Sequence, residues 1–131
     1  MKKQGLLHAE LCRTITAMGH TDTLVVADAG LPVPGGVDLM DLALIPGLPG
    51  FLDTLEAILA EFEVESALCA KEIMDHNPQI LAGLRKLLGE IPLQFVTHDS
   101  FKRKTGDAGA VVRTGECTPY ANILLVAGVT F

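Results

Sequence analysis

The sequence predicts an α/β fold, namely a single-domain three-layer α/β/α sandwich around a largely parallel or mixed sheet. Two observations support this prediction. Short runs rich in valine, leucine and isoleucine alternate along the chain with amphipathic helical patterns, which is typical of α/β layering. The chain has 131 residues, enough for one domain with its own core, and no linker or internal repeat divides it.

The first predicted element is a helix over residues 8–18, with apolar side chains at helical spacing and Gly19 as its C-terminal stop. The run LVVA, residues 24–27, is apolar throughout, as in a strand that is covered on both faces. A proline- and glycine-rich loop follows at residues 31–36. Residues 37–45 are ambiguous, and a strand is favoured there.

The segment PGLPG, residues 46–50, breaks the chain before an acidic amphipathic helix at residues 51–62. Asn77 and Pro78 predict the start of another helix, because asparagine is a capping side chain and proline suits the first turn. Gly89 predicts its end. A short basic helix is predicted at residues 99–105, and a polar, turn-rich loop at residues 113–122. The remaining strands are predicted at residues 64–70, 93–96, 110–112 and 123–126.

Composition excludes several classes of function. The net charge of −6 disfavours binding to nucleic acid or to an anionic membrane surface. No signal peptide is recognisable, and the apolar tail is too short to span a bilayer. The three cysteines show no metal-binding spacing, so free thiols in a reducing cytoplasm are expected. A mean hydropathy of +0.38 is high for so small a chain, and it predicts a homo-oligomer that buries part of the apolar surface.

Polar side chains follow two of the predicted strands. Asp28 follows LVVA, and His98 follows the strand at residues 93–96. In open α/β sheets, ligands bind beyond the carboxyl ends of the strands, so both are candidate ligand-binding residues. His20 lies at the other end of its strand. It meets Asp28 only if the loop curls back or a neighbouring subunit supplies it.

Each of these residues also has a purely structural interpretation. His20 could favour the C-terminus of the first helix through the helix dipole. Asp28 could be a turn former that accepts backbone N–H groups, and His98 could simply enter a helix. His8 is expected on the face of the first helix and His76 before a cap, and both are interpreted as structural.

The polar loop adds candidates that suit a neutral, polyhydroxylated ligand. Tyr120, the only tyrosine, offers an aromatic wall, and Asn122 offers an amide. Lys102 is a further candidate, although it could belong to a solvated helix face together with Arg103. No glycine-rich phosphate loop and no nucleophile elbow occur, and the histidine–carboxylate neighbours are too isolated to predict a metal site.

The sequence resembles the ribose pyranase (sugar mutarotase) family, which includes fucose mutarotases. The resemblance covers essentially the whole chain, so that residues 1–131 are expected to form one sugar mutarotase domain. It rests on MKKQGLLHAEL, GHTDTLVVADAGLPVP, THDSFKRKTGDA and VVRTGECTPYANILLVAGV. The block RTGECTPYAN is more similar to the ribose-acting branch than to the fucose-acting branch.

The resemblance implies a role for each matching position. His20 matches the catalytic proton donor, and Asp28 and His98 match substrate-binding positions. Lys102 matches a pocket lysine, and the final substrate-contacting segment corresponds to Tyr120, Ala121 and Asn122. The family forms ring-shaped homo-oligomers, commonly decamers, with the pocket at a subunit boundary.

The implied reaction interconverts the pyranose and furanose forms of D-ribose. It needs no cofactor and no metal, because ring opening and closure involve neither a redox change nor a stable covalent intermediate. Three alternatives stay open: a non-catalytic ribose-binding accessory of an uptake system, a mutarotase for fucose or another aldose, and a purely structural oligomer with no ligand.

Overall fold

The computed structural model describes all 131 residues and contains one six-stranded sheet with helices on both faces. The helices are α1 (Ala9–Ala17), α2 (Phe51–Leu59), α3 (Ile73–His76), α4 (Pro78–Leu88) and α5 (His98–Thr105). The strands are β1 (Thr23–Ala27), β2 (Asp38–Asp41), β3 (Val64–Ala70), β4 (Leu93–Val96), β5 (Ala110–Arg113) and β6 (Ile123–Ala127). The predicted α/β fold is confirmed.

The sheet is mixed, with strand order β2-β5-β1-β6-β3-β4. β5 pairs in parallel with β1 and β2, and β3 pairs in parallel with β4. β6 is antiparallel to both of its neighbours, β1 and β3. Five strands therefore run in one direction and β6 alone runs in the other. As a result, the carboxyl ends of five strands and the amino end of β6 share one edge of the sheet.

The central strand β1 shows why LVVA is apolar throughout. Leu24 and Val26 point into a core cluster that also receives α1, α2 and α4. Val25 and Ala27 point to the opposite face, where Phe101 of α5 packs. All four of these side chains are at most 1% exposed. Because side chains alternate along a strand, a strand covered on both faces needs apolar residues at every position.

Some predicted boundaries and roles were wrong. α2 ends at Leu59 instead of residue 62. The chain forms a tight turn there, because the Glu61 N–H bonds to the Ile58 carbonyl, three residues earlier, instead of continuing the α-helical pattern. The four-residue helix α3 lies where no element was predicted. His8 caps α1, with its Nδ1 accepting the Leu11 N–H, so it does not lie on the helix face.

Asn77 differs from its predicted role. α4 does begin at Pro78, but the Asn77 side chain makes no capping hydrogen bond to that helix. It is 7% exposed and donates instead to Thr118 and Pro119 in the polar loop. In a capping residue the side-chain oxygen normally accepts an N–H group from the first turn of its own helix. Here the amide nitrogen of Asn77 instead links the start of α4 to the polar loop.

Residues 42–50 form an arm that packs on the polar loop through backbone contacts. The Gly47 N–H donates to the Gly115 carbonyl at 2.6 Å, and the Gly115 N–H donates to the Pro49 carbonyl at 2.8 Å. A Cβ at Gly115 would meet the backbone of Leu48 and would lie 2.7 Å from the Ile45 carbonyl oxygen. Only glycine permits this approach. The arm leaves three large apolar side chains exposed: Leu44, Ile45 and Leu48.

We predict that Gly115→Ala lowers the free energy of unfolding by about 1–3 kcal/mol, because backbone atoms have to move to admit the methyl group. Gly35→Ala is the matched control, since a Cβ at Gly35 would have no atom within 4 Å other than those of Gly35 itself and its chain neighbours. It should change stability by less than about 0.5 kcal/mol. Urea denaturation measures both variants, and equal stability of the two would contradict the close backbone contact at Gly115.

Candidate active site

A cavity of about 550 Å³ opens at the shared edge of the sheet. Asp28 comes from the end of β1 and His98 from the end of β4, and Tyr120 and Asn122 precede β6. The topology explains this convergence, since the reversed direction of β6 brings its first residues to the edge where the other strands end. Four predicted site residues thus line one cavity.

Asp28 and Asn122 form a reciprocal pair. The Asn122 Nδ2 group donates to Asp28 Oδ2 at 2.7 Å, and the Asp28 N–H donates to Asn122 Oδ1 at 2.9 Å. Asp28 Oδ1 also accepts the Gly30 N–H at 2.9 Å, so the turn-forming interpretation of Asp28 holds together with its place in the cavity. Asn122 is fully buried. The carboxylate is therefore held in one orientation, with lone pairs left for hydroxyl groups of a ligand.

His98 is the first residue of α5, and its backbone N–H donates to both carboxylate oxygens of Glu72, at 3.1 and 3.0 Å. Burial alone raises the pKa of Glu72, but this hydrogen bond and the nearby positive charges outweigh burial, so the pKa lies below its ordinary value. The His98 ring lines the cavity, and its Nδ1 is buried without a hydrogen-bonding partner in the protein.

Tyr120 adopts a left-handed backbone conformation, with φ at 58°. Its ring meets the His98 ring edge-on at a centroid distance of 5.0 Å and lies 5.3 Å from the ring of His76. His76, which was interpreted as structural, thus supports the aromatic wall of the cavity. Aromatic pairs at this separation and tilt are favourable and orient one another.

Three predicted site residues, Ala121, Lys102 and His20, do not line the cavity with their side chains. Ala121 is fully buried in the larger core cluster, so only its backbone is near the site. Lys102 lies one turn beyond His98 on α5, with Nζ 3.0 Å from Asp99 Oδ1. The Lys102 ammonium lowers the pKa of Asp99 below its ordinary value.

His20 lies at the opposite edge of the sheet. Its strand β1 has five residues, which span about 16 Å at about 3.3 Å per residue. His20 Nε2 lies 2.7 Å from Glu65 Oε2, and its side chain is 53% exposed. The imidazole therefore pairs with β3, instead of with the end of α1. Within one chain the structure does not bring His20 and Asp28 together.

Sequence reasoning missed two carboxylates. Glu65 pairs with His20, although no pattern connects residues 45 positions apart. Glu116 lines the cavity and accepts hydrogen bonds from Thr118 and from the Phe51 N–H. Glu116 lies in the predicted polar loop, residues 113–122, where it is the one acidic residue among turn-forming residues. This pattern could have marked it as a candidate site residue. No three histidine, cysteine, aspartate or glutamate side chains cluster as a metal site. None of the five helices combines the length and the apolar character that a membrane-spanning helix needs.

Comparison with known proteins extends over the full chain. A protein from Symbiobacterium thermophilum named D-ribose pyranase is 53% identical over 131 residues, covering all of both chains. A D-ribose pyranase from Geobacillus kaustophilus is 49% identical, covering all of this chain and 96% of the relative.

Two solved structures agree with this result. Bacillus subtilis RbsD complexed with D-ribose has a TM-score of 0.97, with 48% identity and complete coverage of both chains. The fucose mutarotase from Streptococcus pneumoniae in complex with L-fucose has a TM-score of 0.82, with 26% identity, covering 96% of this chain and all of that chain. The model of the RbsD / FucU transport protein family matches residues 1–130. The chain belongs to the RbsD/FucU family.

Proposed function

We propose that residues 1–131 act as one sugar mutarotase domain that interconverts the pyranose and furanose forms of D-ribose. The observation that carries this proposal is the cavity in which Asp28, His98, Tyr120 and Asn122 converge, in a chain about half identical to proteins named D-ribose pyranase. The lining combines a held carboxylate, an imidazole ring and an aromatic wall. These groups suit the hydroxyls and the ring face of a free pentose.

The reaction is proton transfer. Ring opening delivers a proton to the ring oxygen and removes one from the anomeric hydroxyl, and closure on a different hydroxyl reverses these roles. We assign His20 as the general acid/base, since histidine exchanges protons near neutral pH. Asp28 and Asn122 would hold sugar hydroxyls, His98 and Tyr120 would orient the ring, and the Ala121 backbone would border the site. Lys102, one turn beyond His98 on α5, is a further candidate for contact with the sugar.

The position of His20 calls for a second subunit. His20 is half-exposed at the edge of the sheet opposite the cavity of its own chain, so we propose that it completes the cavity of a neighbouring subunit. The exposed side chains of Leu44, Ile45 and Leu48 and the high mean hydropathy support a homo-oligomer, for which we propose a decamer. Three unpaired cysteines support a cytoplasmic location.

Glu65 is assigned a positioning role. Its carboxylate oxygen lies 2.7 Å from His20 Nε2, so an Nε2–H tautomer donates to it and leaves Nδ1 free for the substrate. A charge-assisted hydrogen bond of this kind also stabilises the imidazolium that forms when His20 accepts a proton.

A binding-only protein is the second candidate, and one observation favours it. The cavity of a single chain contains the hydroxyl-binding side chains without His20. Such a protein would bind ribose and would not accelerate exchange between ring forms. Saturation-transfer NMR across a panel of free aldoses separates this candidate from a pyranase and identifies the preferred sugar.

We predict that His20→Ala lowers the rate of ribose ring exchange by ~10²–10⁴-fold, the usual contribution of one acid/base group, while ribose still binds. Saturation-transfer NMR measures exchange, and calorimetry measures binding. His8→Ala is the control, since His8 caps α1 and does not line the cavity, and it should keep full exchange. Unchanged exchange in His20→Ala would refute the assignment.

We predict that Glu65→Gln lowers the maximal exchange rate about tenfold with little change in ribose affinity, because a neutral amide stabilises the imidazolium less than a carboxylate does. Glu63→Gln is the matched control. Glu63 is an exposed acid in the same segment, and its side chain has no hydrogen bond. Equal rates in the two variants would remove Glu65 from the mechanism.

We predict that two inactive variants, His20→Ala and Asp28→Asn, recover activity when they are co-expressed. If each cavity combines Asp28 of one subunit with His20 of another, random assembly leaves roughly a quarter of the cavities intact. The measurement is exchange by the purified mixed oligomer against each variant alone. No recovery in oligomers shown to be mixed by mass spectrometry would place His20 and Asp28 in the same subunit's site.

A further inference from the structure

We propose that Asn77 and Glu116 are positioning residues for sugar binding, which hold the loop of residues 118–122 in the shape that presents Tyr120 to the cavity. This inference rests on the proposed function, because it assigns Tyr120 to the sugar site. Neither residue was singled out as a site residue from the sequence, and Asn77 lies behind the loop, outside the cavity lining.

Asn77 supports the loop from the junction of α3 and α4. Its Nδ2 group donates to the Thr118 hydroxyl oxygen at 2.8 Å and to the Pro119 carbonyl at 2.9 Å. Both protons of the amide nitrogen are thus used on two successive loop residues. The side chain is 7% exposed, so water cannot readily replace these bonds if they are lost.

Glu116 extends the same network on the other side of Thr118. Its Oε1 accepts the Thr118 hydroxyl at 2.9 Å, and its Oε2 accepts the Phe51 N–H at 3.3 Å. The Thr118 hydroxyl therefore accepts a hydrogen bond from Asn77 and donates one to Glu116. Its single proton is directed toward Glu116. The network anchors the loop to the start of α4 and to the start of α2.

The backbone of Tyr120 explains why the loop needs this support. Its φ of 58° lies in a region that non-glycine residues seldom occupy, and such a conformation persists only when its surroundings impose it. Thr118 and Pro119 are fixed on one side by Asn77. Asn122 is fixed on the other side by Asp28, and its N–H bonds to the Tyr120 carbonyl at 2.9 Å. Release of either side allows Tyr120 to relax and its ring to leave His98.

The test uses Asn77→Asp, which keeps the size of the side chain but cannot donate to Thr118 or Pro119. Glu116→Gln is a second variant in case Asn77→Asp does not fold. Thr54→Val is the matched control, because Thr54 is also 7% exposed and its hydroxyl makes one hydrogen bond, to the Gly50 carbonyl at 2.8 Å. Tyr120 is the only tyrosine, so its ring NMR signals report the loop directly.

In Asn77→Asp we expect the Tyr120 ring signals of the free protein to shift toward those of an exposed tyrosine. The dissociation constant for D-ribose should rise about tenfold, as expected for two lost hydrogen bonds of ordinary strength. Exchange at saturating ribose should fall less than about threefold, since His20 is untouched. Glu116→Gln should change the Tyr120 signals and the dissociation constant for D-ribose in the same direction by a smaller factor. Thr54→Val should change neither.

Wild-type Tyr120 signals in both variants, or wild-type ribose affinity in both, would overturn the positioning roles. A wild-type protein that binds ribose without exchanging its ring forms would contradict the proposed function, while the affinity comparison would still decide the roles of Asn77 and Glu116. If the wild-type protein did not bind ribose, the proposed function would fail, and the Tyr120 signals would decide the positioning roles alone.

Discussion

The paired hydrogen bonds between Asp28 and Asn122 join the end of β1 to the start of β6, and the architecture of the cavity depends on them. Each residue gives one donor and one acceptor to the other, so neither is left unsatisfied although Asn122 is fully buried. The pair closes only because β6 runs against β1. A parallel β6 would begin at the opposite edge, and the polar loop that precedes it would lie far from Asp28 and His98.

This arrangement also separates the two halves of the proposed chemistry. The groups suited to bind a sugar gather at one edge of the sheet, whereas the His20–Glu65 pair lies at the other. β1 acts as a rigid spacer between them, because its side chains are buried on both faces and it has a hydrogen-bonded strand on each side. An internal rearrangement that joined the two edges would have to break the core, whereas assembly of two chains leaves the core intact.

Much of the fold could be predicted from local patterns. LVVA is apolar at every position because both faces of β1 are covered, and Asn77–Pro78 marks the start of α4. The strand-end rule correctly brought Asp28 and His98 to one edge. Long-range partners could not be predicted in this way. An asparagine before a helix can cap that helix or bond elsewhere, and the sequence does not distinguish the two. Asn77 bonds to the loop because the fold places Thr118 within reach of its amide. Likewise, nothing in the sequence distinguishes Glu65 from the other acidic residues, of which the chain has 16 in total. Only the fold places Glu65 beside His20.

The place of β6 in the sheet has a consequence for biosynthesis. β6 is the last strand in chain order, yet it lies between β1 and β3, so the group β2-β5-β1 and the pair β3-β4 touch through no other strand. A ribosome delivers the chain from its amino end, so the inner edges of β1 and β3 have no partner strand before β6 emerges. Unpaired strand edges are the places where chains pair with other chains. The emergence of β6 joins the two groups of strands and, through Asn122, sets Asp28 in place, so the maturation of the binding cavity coincides with the closure of the whole sheet.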